Sequence, residues 1–423
     1  MISKGTFYTV LNGIAQFVKA ISSLIINKVI VVLLGSPALL FVGNLKSVFT
    51  ILQQISGAGV YEGAVKYLSG EYKDRQTFIL QACLSLMLVG FFISTALYFI
   101  LYDQILNLLQ LDENDRNLIP WLTGGIVLSL LCFVFHTLMQ SFFHGLKSYK
   151  IIVQSTLISA LLTLGVSTAL IYYTNKLGLV LSVFVPSVIL LLTYCFHIRK
   201  SWHFGQMLFG KPFRLFVFKP VLSFTLMSAV AAMVFPSVLI VIRSLLVEHS
   251  GVELASYWEG YSRLSIFMSG LAISSISLYY LPKLVEANTG QEMFKVVLWG
   301  VKFLFALALP AMILIFLFGS DIILLLYTTN FLEAIFLLKW ELLGTFLKLL
   351  SFTVSFIMVA KKLTRVFVLS ELISGLVFFV LSVLLVEMYG VVGASIAYAG
   401  TYLMYLLWVV IYFGKRFRFF EKG

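Results

Sequence analysis

Charge is what this chain has least of. Charged side chains make up 11% of its 423 residues, and acids are the scarcer sign, 18 against 30 lysines and arginines, for a formal net charge of +12. Ordinary globular chains carry about a quarter charged residues, so a soluble domain of this composition is excluded. Cysteine is scarce too. The three, Cys83, Cys132 and Cys195, lie inside apolar runs, where a lone thiol behaves as a small hydrophobe. Neither a disulfide framework nor a CxxC metal pair can be drawn from them. The chain also has no P-loop, no nucleophile elbow and no acid pair in a loop. Gly57 and Gly59 form a GxG, but no strand precedes them, so they suit helix packing or a hinge and not a dinucleotide.

What fills the chain is hydrophobic sequence, 61% of it, with a mean hydropathy of +1.02. At about 20 apolar residues per crossing, it divides into twelve helical spans, near 6–34, 38–58, 77–101, 119–142, 150–172, 177–198, 219–247, 255–281, 294–319, 333–360, 364–386 and 391–414. Helices are expected, because lipid leaves only helices or closed barrels and strict alternation is missing. The first span is long enough to cross and is followed at once by a second, which favours a retained helix over a cleaved leader.

Lysine and arginine crowd alternate loops: Lys66, Lys73, Arg75, Lys147, Lys150, Arg199, Lys200, Lys211, Arg214, Lys219, Lys361, Lys362 and Arg365, then Lys415, Arg416 and Arg418 in the tail. The other loops offer only Arg116 and Lys176, with Asp103, Asp112, Glu113, Asp115, Glu248, Glu253 and Asp321. The positive-inside rule therefore places both termini in the cytoplasm. Orientation thus accounts for the basic balance without a nucleic-acid partner. The longest polar break, 199–218, mixes cations with Trp, Phe and Met as an amphipathic cytoplasmic linker would. It separates an N-lobe, 1–198 with spans one to six, from a C-lobe, 219–423 with spans seven to twelve. Six is even, so the lobes share one topology, as in parallel-repeat transporters with a central cavity. NKLGLVLS before span six and MYGVVGAS before span twelve support the repeat.

A charge in hydrocarbon costs at least ~2.5–3.5 kcal/mol, so charges within spans normally face a bundle interior or a wet cavity. Lys19, Lys28, Lys46, Arg243, Arg263, Lys302 and Lys348 are such cations, and Glu259, Glu341 and Glu371 are the acids. Lys339 lies near a span end, where it can snorkel. Helical spacing puts Glu259 and Arg263 on one face, likewise Lys46, Thr50 and Gln53, and likewise Glu341, Thr345 and Lys348. Lys19 and Lys28, nine apart, fall on opposite sides of a straight helix. Glu259 offers Arg263 a neutralising partner, which ranks it below Arg243. A cavity lined this way is net positive and suits a phosphate head group, Arg as a planar fork and Lys as a point charge. Glu341 and Glu259 are the candidates for proton or sodium coupling. His136, Gln140 and His144 step by four along span four, but no carboxylate joins them and Gln is a poor metal ligand.

The chain resembles the Wzx-type flippases for undecaprenyl-pyrophosphate-linked oligosaccharides, in the branch that includes the enterobacterial common antigen flippase. Carrying the likeness are Lys19 and Lys28 before LGSP, GAGVYEGAVKY at 57–67, Arg243 followed by Leu245, Trp258, YYLPKL at 279–284, Trp340 with Lys348, and Ala360, Lys361 and Glu371. The resemblance implies the MATE-like superfamily of two six-helix lobes, alternating access, and the inner membrane of a Gram-negative bacterium. It also implies a lipid-linked glycan such as an O-antigen unit as substrate, a polymerase and chain-length regulator as partners, and no covalent chemistry. Where the family carries acids in spans eight and ten, this chain has Leu264, Ser265 and Thr345, with Glu259 and Glu341 nearby. Two alternatives stand beside this reading. A MATE-like drug or metabolite antiporter would want acids and aromatics in its cavity; an integral-membrane glycan polymerase or ligase would want a large outer loop.

Overall fold

A computed structural model describes residues 4–69, 76–111, 113–199, 218–361 and 363–420 of the chain. Every regular element among them is helical. The order is α1 (Lys4–Leu34), α2 (Pro37–Gln53), a π turn (Gln54–Ala58), α3 (Gly59–Ser69), α4 (Gln76–Ile100), α5 (Tyr102–Leu108), α6 (Ile119–Gly145), α7 (Tyr149–Thr174) and α8 (Lys176–Ile198). There follow α9 (Phe218–Glu286), α10 (Gly290–Leu317), α11 (Gly319–Leu326), α12 (Leu337–Ala360), α13 (Thr364–Tyr389) and α14 (Val391–Phe420). The expected linker, 199–218, lies outside the described residues except at its two ends.

α9 has 69 residues. A straight helix of that length would reach roughly 100 Å, several times a bilayer core. It does not run straight: Gly251 has φ 82 and ψ 165, a region open in practice only to glycine, and the two arms fold back there. Arg243 and Glu259, sixteen residues apart, meet at 2.7 Å, whereas a straight helix would hold them about 24 Å apart. Eleven described helical runs are long and apolar enough to cross a membrane, and one of these, Ala232–Ile273, contains this reversal. Counted as two, it brings the total to the twelve crossings expected.

By internal contacts the chain forms two compact units, Met1–Leu34 with Phe41–Ser237, and Gly35–Leu40 with Val238–Gly423. The division falls at Ser237, within the seventh expected span, not at the linker. Each unit contains the same hairpin, α7–α8 in the first and α13–α14 in the second. α7 and α13 both have 26 residues, and each position of the second hairpin lies 215 after its counterpart: 149 and 364, 174 and 389, 178 and 393. Their caps agree closely: Ser148 (φ −81, ψ 55) with Leu363 (φ −81, ψ 57), and Asn175 (φ 49, ψ −120) with Gly390 (φ 59, ψ −139). At Gly178 a methyl would sit 2.0 Å from the Leu170 carbonyl oxygen, and at Gly393 at the same 2.0 Å from that of Leu385. Only glycine lets these backbones touch.

Within the second unit, buried tyrosines tie helices to backbone. Tyr261 donates to the Phe331 carbonyl at 2.9 Å, Tyr327 to that of Gly260 at 2.9 Å and Tyr280 to that of Thr353 at 2.6 Å. These bonds fix the azimuth of α9 and α12, and therefore which of their side chains face inward.

Candidate functional site

The hairpin at Gly251 sets the geometry of the second unit. Arg243 lies on its first arm, and Glu259 and Arg263 lie one turn apart on its second. Glu259 Oε2 accepts from Arg243 Nε at 2.7 Å, and Oε1 from Arg263 Nε at 2.8 Å. Arg263 Nη2 also donates to the Leu39 carbonyl at 2.9 Å. Arg243 and Glu259 are 4% and 3% exposed. Two guanidinium groups share one carboxylate, so the cluster keeps a unit of positive charge inside a membrane-spanning hairpin.

A second buried acid lies in the same unit. Glu341 on α12, 3% exposed, accepts from Ser265 Oγ at 2.6 Å and Ser395 Oγ at 2.8 Å. Its carboxylate thus joins α9, α12 and α14. Seven residues on, Lys348 Nζ stands 5.4 Å from the centre of the Tyr402 ring, and Glu371 and Glu341 act on it electrostatically. The expected stripe of Glu341, Thr345 and Lys348 faces α14, whose Ser395 and Tyr402 repeat the same seven-residue step. Thr345 is fully buried.

The first unit is arranged otherwise. Lys28 on α1 is half-buried and lines a 630 Å³ cavity with Val32, Leu33, Thr168, Tyr172 and Tyr173. Lys46 is half-buried on α2, where Thr50 Oγ1 donates to its carbonyl at 2.7 Å. Gln53, the third member of that stripe, reaches Ser187 Oγ at 3.5 Å. Lys19 is exposed and close enough to His136 to act on it electrostatically. His136 packs edge-on to Phe133 and His144 edge-on to Tyr149. Lys302 stands apart from all of these: on α10 it is exposed, on a face with the exposed Trp299 and Phe305.

The structure therefore brings together Arg243, Glu259 and Arg263, and separately Glu341 and Lys348. Ser265, named in the sequence only as standing where the family carries an acid, completes these groups with Ser395, Tyr402 and the Leu39 carbonyl, which were not singled out there. Tyr402 and Ser395 had a signal in their spacing. A backbone carbonyl has none.

No family model matches the chain. Along nearly its whole length it is similar to the Lipid III flippase of Escherichia coli (strain K12), 25% identical over 428 residues that cover 96% of each chain. Its fold is that of MATE-type transporters. An inward-facing multidrug resistance MATE family transporter of the MOP superfamily superposes with a TM-score of 0.76 at 13% identity, covering 100% of this chain and 97% of the other. The inward closed conformation of the Lipid II flippase MurJ gives 0.75 at 15% identity, covering 95% and 87%. The chain is a multi-pass membrane protein with this fold.

Proposed function

We propose that the chain is a flippase that carries a lipid-linked oligosaccharide across a bacterial inner membrane, of the Wzx type, with an undecaprenyl-pyrophosphate-linked O-antigen or related glycan unit as cargo. It moves the head group by alternating access and makes or breaks no covalent bond. The observation that carries the reading is the Arg243–Glu259–Arg263 cluster. A lone carboxylate saturated by two arginines leaves a net positive field, which is what a pyrophosphate requires in a low-dielectric site and what a cationic drug would avoid. Similarity to a Lipid III flippase over 96% of both chains agrees with it, and so does a fold shared with a Lipid II flippase.

The binding set is Arg243, Arg263 and Lys348 in the second unit, with Lys28, Lys46 and Lys19 in the first. Lys302, on an exposed apolar face, is left outside it. Glu341, held by two serine hydroxyls, is the candidate for proton or sodium coupling, ahead of Glu259, whose oxygens are committed to arginine. A MATE-like antiporter shares the fold but wants a cavity of the opposite sign. Partners follow from the cargo: a polymerase and a chain-length regulator act on it after release.

Removing the chain from its host should leave lipid-linked glycan on the cytoplasmic leaflet, and Lys348→Ala should do the same with normal protein levels. Surface glycan unchanged in both strains would sink the assignment.

A further inference from the structure

Far from the charge cluster in sequence, three helix ends of the second unit enclose a separate cavity of 230 Å³. Its polar lining is Lys361, Arg416 and Asn288. Its apolar lining is Met293 from α10, Ile357 from α12, Leu363 between α12 and α13, and Phe413 from α14. Both cations are held in place. Lys361 Nζ donates to the Ala287 carbonyl at 2.5 Å and to that of Val285 at 3.4 Å, closing the last turn of α9 and its exit. Arg416 Nη1 donates to the Tyr412 hydroxyl at 3.1 Å.

Among the described residues no acid lines the cavity. Glu292, which opens α10 close by, turns its carboxylate to the Asn288 and Thr289 amides, at 2.8 and 3.4 Å, in a capping box with the Thr289 hydroxyl. Two fixed cations beside four apolar side chains match one chemistry, an anionic phosphate joined to hydrocarbon. The volume lies below the roughly 300–1,000 Å³ of ordinary small-molecule sites, so it takes a head group and not a whole ligand. In sequence the surroundings are basic as well, with Lys362, Arg365, Lys415 and Arg418 flanking the two lining cations. Basic pockets between membrane helices on the cytoplasmic side are where anionic head groups settle.

We propose that this cavity binds the phosphodiester of an anionic glycerophospholipid, with Lys361 and Arg416 on the phosphate and the acyl chains leaving past Leu363. The bound lipid ties the ends of α10, α12 and α14 to one another. The proposal rests on the orientation argued above only in naming the leaflet; the binding itself is independent of what the protein transports.

The test uses the full-length protein in nanodiscs of phosphatidylcholine with or without phosphatidylglycerol, read by native mass spectrometry and thermal unfolding. Phosphatidylglycerol should be retained preferentially on the wild type and raise its melting temperature. Arg416→Gln should weaken retention about tenfold, the loss of one charge-assisted hydrogen bond to the phosphate. Lys415→Gln is the control, since it removes the same charge from the neighbouring exposed position and should leave retention unchanged. Equal loss in both variants means general surface attraction and overturns the site. So does a wild type that prefers neither lipid, a measurement that needs no variant to fold. Equal stabilisation by inorganic phosphate in pure phosphatidylcholine discs would assign the cavity to free phosphate and overturn the lipid claim.

Discussion

Glu259 shows how much one side chain can carry inside a membrane helix. Each of its oxygens holds a different arginine, so the residue keeps two cations buried that would otherwise repel each other. Breaking a buried ion pair by removing one partner costs about 3–5 kcal/mol, because the remaining charge is left uncompensated. Glu259→Gln should accordingly lower thermal stability by that order, whereas Arg243→Lys, which keeps the charge and loses the fork, should cost less stability and more transport. Thermal unfolding in detergent alongside surface-glycan assays separates the two. Glu341 makes a quieter case. Ser265→Ala or Ser395→Ala removes one of its hydroxyl donors, at about 1–3 kcal/mol for a buried acceptor left short of a partner. Because both act on one carboxylate, their effects should not add in a double-mutant cycle, and additive losses would show that the shared bond is not what the serines contribute.

At the level of elements, the hairpins decide what meets what. Gly251 reverses α9 with open space around it, so Gly251→Ala should cost only the backbone strain, about 1–3 kcal/mol. Gly178 and Gly393 are different, since a methyl at either would strike backbone of the preceding helix. Overpacking of this kind typically costs about 1–3 kcal/mol, occasionally more. If the two hairpins are true repeats, Gly178→Ala and Gly393→Ala should lower folded yield by similar amounts. A tolerated change at one and a severe change at the other would show that the match in cap angles has no matching energetics.

For the whole molecule, orientation is the property most open to test. A reporter fused after Arg418 should be protected from external protease in intact spheroplasts, and cleavage there would invert the topology. The twelve crossings and the excess of cations could both be read from the chain, because run length and composition are local or additive quantities, and loop charge gives the orientation this reporter tests. The pairing of Glu259 with Arg263 was equally legible, being one helical turn on one face. Other features were not. Arg243 finds Glu259 only because Gly251 reverses the chain, and Glu341 finds Ser265 and Ser395 only because α9, α12 and α14 pack with particular faces together. Lys302 reads in sequence like any other intramembrane cation, yet its helix turns it outward beside Trp299 and Phe305. By itself, then, the sequence determined that this is a helical membrane protein and which charged residues its spans hold. Tertiary structure alone decided which buried charges face a partner and which face outward, because the rotation of a helix about its own axis is set by its neighbours and not by its own hydrophobic run.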